Sequence, residues 1–506
     1  MKREDREGVY ISRRKLKRRQ RAEGIARVED VSTSTEATEA VAAAESPLEV
    51  GIVGGGIGGL ALALSLQQKK IRSIVFERDA NVDARAQGYG LTLQQVSVFR
   101  FFSALAHLVS LPRGQAGRAT RSLGLTDAVL KCGVASSSHF ICDDKGQFTI
   151  FWGTTAAAGA DTWDPSRNCH VARQVLRKEL LKSLNPAFVT IVWGFELQSL
   201  EECNSSVSVS GVVATNVADE LGRPTAKQVK HDVDVLVGCD GIRSTVRSRV
   251  LYAADSLNYL DSFVMLGIVS NGVHPVLHER MIQMSNGSAR IFIMPYDEGR
   301  SMWQLSWLMN DEEDALALSR CGSAGLKVEA LRQCQSFAGP VVPLIEATDT
   351  SLITGYPVYD RDTLSVPLPF KDPFSRITLV GDAAHPMSPF KGQGANQALI
   401  DAVDLAECLY NAPPRDVKQA LRQYEAKMIP RTTPKVLASR ESVPALHNPE
   451  FNNIRYQLER RQYARVDEFH SLMESLRLEK VGIWSSNADL DAACDRQNAM
   501  MRAHKQ

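Results

Sequence analysis

No Cys-x-x-Cys pair occurs in the 506 residues, and the nine cysteines are scattered from Cys132 to Cys494. An odd, unpatterned set argues against a disulfide framework or a zinc ribbon and fits a reducing, cytoplasmic compartment. Long apolar runs are scarce as well. The best candidate, Leu48 to Leu66, holds six glycines in nineteen positions and makes a poor bilayer helix. No transmembrane segment is expected. The body also lacks an excess of charge. The net charge is +1, but residues 1–30 alone carry +5, so the remainder is close to −4. That balance excludes nucleic-acid binding by the folded part. Metal ligands are sparse too. His274 and His278 are four apart and next to Glu279, but Pro275 breaks any helix start there and no further ligand is near, so no metal is expected.

What is present supports a large core. Hydrophobic residues make up 44% and charged residues 23%, enough for two or three domains or one interleaved unit. Residues 1–47 read as a disordered tail, with a basic run at 13–21 and a Ser/Thr/Ala/Glu-rich stretch at 32–46. The basic run fits a solvated tail, with a nuclear address as the alternative.

The folded part opens with an apolar strand, then Gly54-x-Gly56-Ile57-x-Gly59, a helix, and a second strand ending on Glu77 and Arg78. Gly54 suits a tight turn, Gly56 a close backbone approach to a pyrophosphate, and Gly59 close helix–strand packing. The helix start favours phosphates and Glu77 can accept from a ribose diol, so the unit reads as an adenine-dinucleotide site. Further on, the strand Val233–Val237 ends on Asp240-Gly241, with Arg243 and Arg247 behind it. A third strand, at 377–380, ends on Gly381-Asp382. A Pro-rich turn through Pro389 follows, and then Gly392-Gln393-Gly394 opens a helix whose apolar residues run from Ala395 to Leu409 on one face. A strand-end carboxylate near an open helix start suits a ligand with hydroxyls and an electron-rich edge.

Between these motifs, 113–118 reads as an exposed insert and 140–152 as a hairpin. Cys169 to Leu184 reads as one amphipathic helix with Arg173 near its start and His170 as a polar cap or a base. Strands at 189–200 and 205–215 pair most simply as a hairpin, and 263–308 reads as an antiparallel sheet. Arg85, just past the first βαβ unit, is either an anion contact or a surface residue. The expected division is a tail (1–47), a dinucleotide-binding domain (48–130, 167–257, 353–445), a sheet domain (131–166, 258–352) and a helical C-terminal cap (446–506). The fold class is α/β, or α+β overall.

The three motifs in this order resemble the class A flavin-dependent monooxygenases of the para-hydroxybenzoate hydroxylase type. The resemblance covers residues 48–410, and Gly381-Asp382 with ProMetSerProPheLysGlyGlnGlyAlaAsn is its most specific part. It implies a Rossmann-like FAD domain interleaved with a substrate-side sheet, and non-covalent FAD with NAD(P)H as donor. It also implies oxygen transfer to a small aromatic or polyene substrate through a hydroperoxide at flavin C4a. Gly54, Gly56, Ile57, Gly59, Glu77 and Arg78 would hold the AMP half. Arg85 and Arg173 would border the cofactor, and Asp240-Gly241 would serve FAD and NAD(P)H. Gly381 and Asp382 would meet the ribityl or pyrophosphate region. Pro389, Gly392, Gln393, Gly394, Ala395 and Asn396 would face the pyrimidine edge, where a helix start stabilises the charge of reduced flavin. Only one complete Gly-x-Gly-x-x-Gly is present, so no separate NAD(P)H domain is seen, and the Trp-x-Trp-x-Ile-Pro signature of flavin halogenases is absent. His170 and Tyr296 are candidates for assisting substrate deprotonation. A reductase or oxidase on the same scaffold, such as an isoprenoid reductase, stays open, as does a non-catalytic flavoprotein.

Overall fold

The computed structural model describes residues 48–84, 89–93, 115–136, 138–153, 168–218, 224–251, 256–277, 280–368, 375–412 and 416–453, with isolated positions beyond. The basic tail, Arg85, His278, Glu279 and nearly all of the expected C-terminal cap lie outside these residues.

The first βαβ unit is β1 (Glu49–Val53), α1 (Ile57–Gln68) and β2 (Arg72–Glu77). Every residue of α1 from Gly59 to Leu66 is buried, because other helices cover the side turned away from the sheet. A short strand β3 (Gly90–Leu93) follows, then α2 (Gln115–Ser122), α3 (Thr126–Cys132), β4 (Val134–Ser136), and the hairpin β5 (Ser138–Asp143) and β6 (Phe148–Gly153). Next come β7 (Asn168–Ala172), α4 (Arg173–Lys182), β8 (Val189–Trp193), β9 (Phe195–Glu202), β10 (Val207–Ala218), β11 (Pro224–Val233), β12 (Val235–Gly238) and α5 (Thr245–Val250). The large sheet is completed by β13 (Asn258–Ser270), β14 (Arg280–Ser285), β15 (Ala289–Asp297) and β16 (Arg300–Leu308). Three helices, α6 (Glu312–Arg320), α7 (Gly322–Cys334) and α8 (Val341–Ala347), lead to β17 (Thr354–Asp360), β18 (Ile377–Leu379), α9 (Gly394–Asn411) and α10 (Val417–Leu446).

Two sheets organise the molecule. The parallel sheet runs β18-β12-β1-β2-β8, and its central strands bury an apolar interior of Val50, Ile52, Val53, Ile74, Val75, Phe76, Val235, Leu236 and Val237, as strands covered on both faces must. The second has seven strands in the order β17-β13-β16-β15-β14-β5-β6 and is mixed, because β14 pairs parallel with β5. One of its faces packs Phe263, Ile291, Ile293, Trp303 and Leu305 against α7 and α8. Gly267 admits the Trp303 ring, which a Cβ there would approach to 2.3 Å. The opposite face carries Val264, Leu266, Met281, Met294, Tyr296, Met302 and Val358.

Helix α10 reaches both sheets. At its first half the Tyr424 hydroxyl donates to Leu379 O (3.0 Å) and Glu425 accepts from Thr378 (2.9 Å). At its second half Arg440 holds the buried Asp360 with two bonds of 2.7 and 3.0 Å, and Ser439 exchanges hydrogen bonds with Ser388. Just past its end, His447 bonds the Ser306 hydroxyl at 2.9 Å.

Several expectations need correction. The stretch 189–200 is two strands, not one. Gly194, at φ +72°, turns the chain so that β8 joins the parallel sheet while β9 pairs with β10, and β11 completes a three-stranded antiparallel sheet. The helix expected from Cys169 starts only at Arg173. The four residues before it are all buried and pair as β7 between β3 and β4. Residues 115–118 open a helix that packs on α9 rather than an exposed insert, with Gly117 buried and Arg118 exposed. Strand β17, expected in the dinucleotide-binding part, is an edge strand of the seven-stranded sheet, and β4 sits in the small β3-β7-β4 sheet.

Candidate active site

Strand order explains the site. Because β18, β12, β1 and β2 are neighbours, the three motifs that follow β18, β12 and β1 emerge side by side at one edge of the parallel sheet. Loops at the carboxyl ends of such strands form a ligand crevice. Direct bonds stitch them together: Gly54 N to Phe76 O (2.8 Å), Cys239 N to Val53 O (2.7 Å) and Val380 N to Gly238 O (2.9 Å).

The glycine turn is required by space. Gly54 sits at φ +108°, and a Cβ there would lie 2.5 Å from Cys239 O. At Gly59 it would lie 2.0 Å from Gly54 O, so the helix could not stay against the strand. Gly56 differs: a Cβ would meet only Arg173 Nη2, at 3.7 Å. Its outer side is open, as a backbone approached by a ligand must be.

Glu77 is buried and held on both oxygens. Oε2 accepts from Gly55 N (2.5 Å) and Oε1 from Asp79 N (2.7 Å). Its counter-charge is Arg177, which no sequence motif marked. Arg177 lies 3.4 Å from Glu77 and 3.2 Å from Asp79, and its Nε donates to Gly55 O at 2.8 Å. The available signal was position: Arg177 is one helical turn beyond Arg173, on the same face of α4. Arg173 lies over the Tyr89 ring at 5.8 Å. Arg78 is exposed, while Ile57 is buried in the first turn of α1.

Asp240 is committed elsewhere. Its carboxylate accepts from Ser244 Oγ (2.5 Å), Thr245 N (2.6 Å) and Val246 N (3.1 Å), and so closes the start of α5. Gly241, at φ +80°, makes the turn. Arg247 is buried and donates to Ala383 O, Ala384 O and Asp362 O, tying the second motif to the third. Arg243 stacks on Tyr359.

Asp382 is different again. It follows Gly381 (φ +62°), is solvent-accessible, and lies so close to the start of α9 that a Cβ at Gly394 would be 3.5 Å from its Oδ1. The surrounding protein pushes its carboxyl pKa up by desolvation, opposed by His385 and Arg173 and reinforced by Asp401. Tyr89 and Tyr356 interact electrostatically with the same carboxyl. No side chain caps α9. Gly392 takes the left-handed conformation at φ +59°, and the Asn396 amide fastens the loop to Gly392 O (2.8 Å) and across to Thr92 O on β3 (2.9 Å). Pro389 and Gly392 are exposed; Gln393, Gly394 and Ala395 are half-buried.

The two acid–base candidates part company. His170 is fully buried within β7, its ring between Thr92 Oγ1 (3.1 Å) and Ser136 Oγ (2.7 Å), and burial lowers it to about 3. It is a neutral structural bridge. Tyr296 is in the apolar face of the large sheet with Arg300 5.2 Å from its ring, and its hydroxyl is raised by burial. Among the described residues no cluster of His, Cys, Asp and Glu suits a metal ion, and no helix is long and apolar enough to cross a membrane.

An open glycine backbone, an accessible carboxylate, an arginine between them and an uncapped helix start together suit a dinucleotide that carries a polar ring edge. The model of the FAD binding domain matches residues 47–320 and 371–436. Monooxygenase cfoF of Aspergillus candidus is 26% identical over 423 residues, covering 80% of this chain and 92% of that protein. Phenazine 1,6-dicarboxylic acid hydroxylase PhzS of Lysobacter antibioticus is 28% identical, covering 78% and 89%. Among solved structures, HpxO of Klebsiella pneumoniae with FAD and uric acid shares the fold at TM-score 0.65 and 21% identity, covering 86% of this chain and 97% of that one. The chain belongs to the FAD binding domain family and is a class A FAD-dependent monooxygenase.

Proposed function

We propose that the chain uses NAD(P)H and O2 to hydroxylate or epoxidise a small aromatic or polyene substrate, as a cytoplasmic enzyme. The observation that carries this reading is the accessible Asp382 beside the uncapped start of α9, at the cleft edge where the three strand-end motifs meet. Bound FAD supplies the two-electron chemistry and the activation of O2.

The chain's own residues supply the rest. Gly54 to Gly59 and the start of α1 would receive the pyrophosphate, and Glu77, bound by Gly55, Asp79 and Arg177, would hold the turn that carries the AMP half. Arg173 balances phosphate charge near Gly56. Asp382 accepts hydroxyls in the middle of the cofactor. The first turn of α9 places its positive end at the edge where reduced flavin carries charge. Leu266, Met294, Met302 and Tyr296 offer a flat apolar wall that excludes water from the reacting atoms. Asp240 acts through α5, leaving Gly241 and its backbone as the part near a donor nucleotide.

The test is substrate-stimulated oxidation of NADH or NADPH with matched oxygen consumption, by FAD-loaded protein across a panel of aromatic and polyene compounds. Flavin that no nicotinamide donor reduces, with or without the panel, would overturn the reading.

A further inference from the structure

Directly behind Gly381-Asp382 lies a buried polar cluster that none of the three motifs called for. Asp401, on the second turn of α9, is fully buried. Its Oδ2 accepts from Gly381 N (2.9 Å) and from His385 Nε2 (2.6 Å), and its Oδ1 accepts from Arg431 of α10 (2.7 Å). Arg431 also donates to Gln397 at 2.6 Å. His385 is itself buried, and it lines a cavity of about 10 Å³ with Thr432 and Asp362, the size of one water. A buried carboxylate with three charged or polar donors is more than packing needs, since an apolar side chain of that size would serve as well.

We propose that Asp401 and His385 are positioning residues that fix the Gly381 turn and thereby aim Asp382 at the middle of the bound cofactor. The geometry is direct. Gly381 holds a left-handed conformation, and its N–H is the backbone group through which Asp401 grips the turn. His385 closes the other end of the same turn, because its own backbone N–H bonds Gly381 O (2.9 Å) while its ring bonds Asp401. Backbone and side chain thus lock one short loop to α9, the helix whose first residue lies against Asp382. The charges facing Asp382 come from Arg173 on α4, His385 on the same turn and Asp401 on α9, with Tyr89 and Tyr356 alongside.

This rests on the cofactor-binding reading above and is separable from it, because the AMP half is held by other residues. Apo-protein is titrated with FAD, followed by flavin fluorescence, and separately with ADP. His385→Leu removes the ring bond and should weaken FAD by about tenfold, the worth of one charged hydrogen bond, while leaving ADP binding unchanged. His385→Gln can return an N–H to Asp401 and should restore most of the FAD affinity. Arg431→Gln, at the more accessible side of the cluster, should show the same split in milder form and decides the matter if the leucine variant does not fold. Equal loss of FAD and ADP in these variants, or unchanged FAD binding in His385→Leu, would overturn the proposal. Wild-type protein that binds neither ligand would instead defeat the cofactor reading.

Discussion

At the end of β12, Asp240 accepts all its hydrogen bonds from the few residues just beyond it, whereas one strand away, at the end of β18, Asp382 has no such local partner among the described residues and stands open to solvent. In sequence the two look alike, a carboxylate beside a glycine at a strand end. The residues downstream set them apart. Ser244 and the start of α5 come at once after Asp240, while Asp382 is succeeded by Ala383-Ala384-His385-Pro386, and the next α-helix begins only at Gly394. The end of β2 belongs with the closed type, since Glu77 is bound by Gly55, Asp79 and Arg177. A closed strand end stabilises the fold. An open one keeps its acceptor oxygens for a ligand.

The comparison can be broken at its closed ends first. Arg177→Leu leaves Glu77 and Asp79 buried without their cation and should lower stability by about 3–5 kcal/mol in denaturant titration. Unchanged stability would show that Glu77 is not closed by the protein at all. Glu425→Gln tests the underside of β18. Burial raises this carboxyl to about 7, above its unfolded value, so its ionisation destabilises the fold as pH rises between those values. The glutamine variant should therefore be more stable than wild type at pH 8, by about 2–3 kcal/mol, with the gain gone below about pH 4. A gain that persists in acid would refute the assignment.

The open end is sharpened by Asp382→Ala. FAD affinity should fall by about 10- to 100-fold, as for a lost charged hydrogen bond, with an unaltered melting temperature for the apo-protein. Asp240→Ala should do the reverse and lose about 1 kcal/mol of stability, the usual worth of a helix cap, while FAD affinity moves little. If the two aspartates exchange these phenotypes, the distinction between closed and open ends is wrong.

Much of this was legible in the chain. The βαβ unit, the glycine spacing and the face of α9 come from local patterns, because turn space and helix periodicity are local properties. Of the apolar residues expected on one face of α9, Ala398, Leu399, Ala402, Leu405, Ala406 and Leu409 are buried, while Ala395 in the first turn is only half-buried. What escaped was non-local. Residues 169–172 look like helix and become strand because β3 and β4 offer pairing partners from far along the chain. Gly194 hid the division between β8 and β9, since one glycine within an apolar stretch gives no hint of its φ. Arg177, His385 and Asp401 draw their meaning from partners 16 to 122 residues away. His170 drew attention by residue type, yet two flanking hydroxyls make it part of the scaffold.

Helix α10 has one more consequence. It is 30 residues long, about 45 Å at helical rise, with Pro430, Pro434 and Pro444 inside it, and it is bonded to β18 at one end and to Asp360 and Ser388 towards the other. Such a tie-beam couples the melting of the two sheets. Neither can lose its order without stripping bonds from the rod that the other depends on. Calorimetry of this chain should therefore trace a single cooperative transition rather than two, and a cut in the rod near Pro434 should split it into a pair.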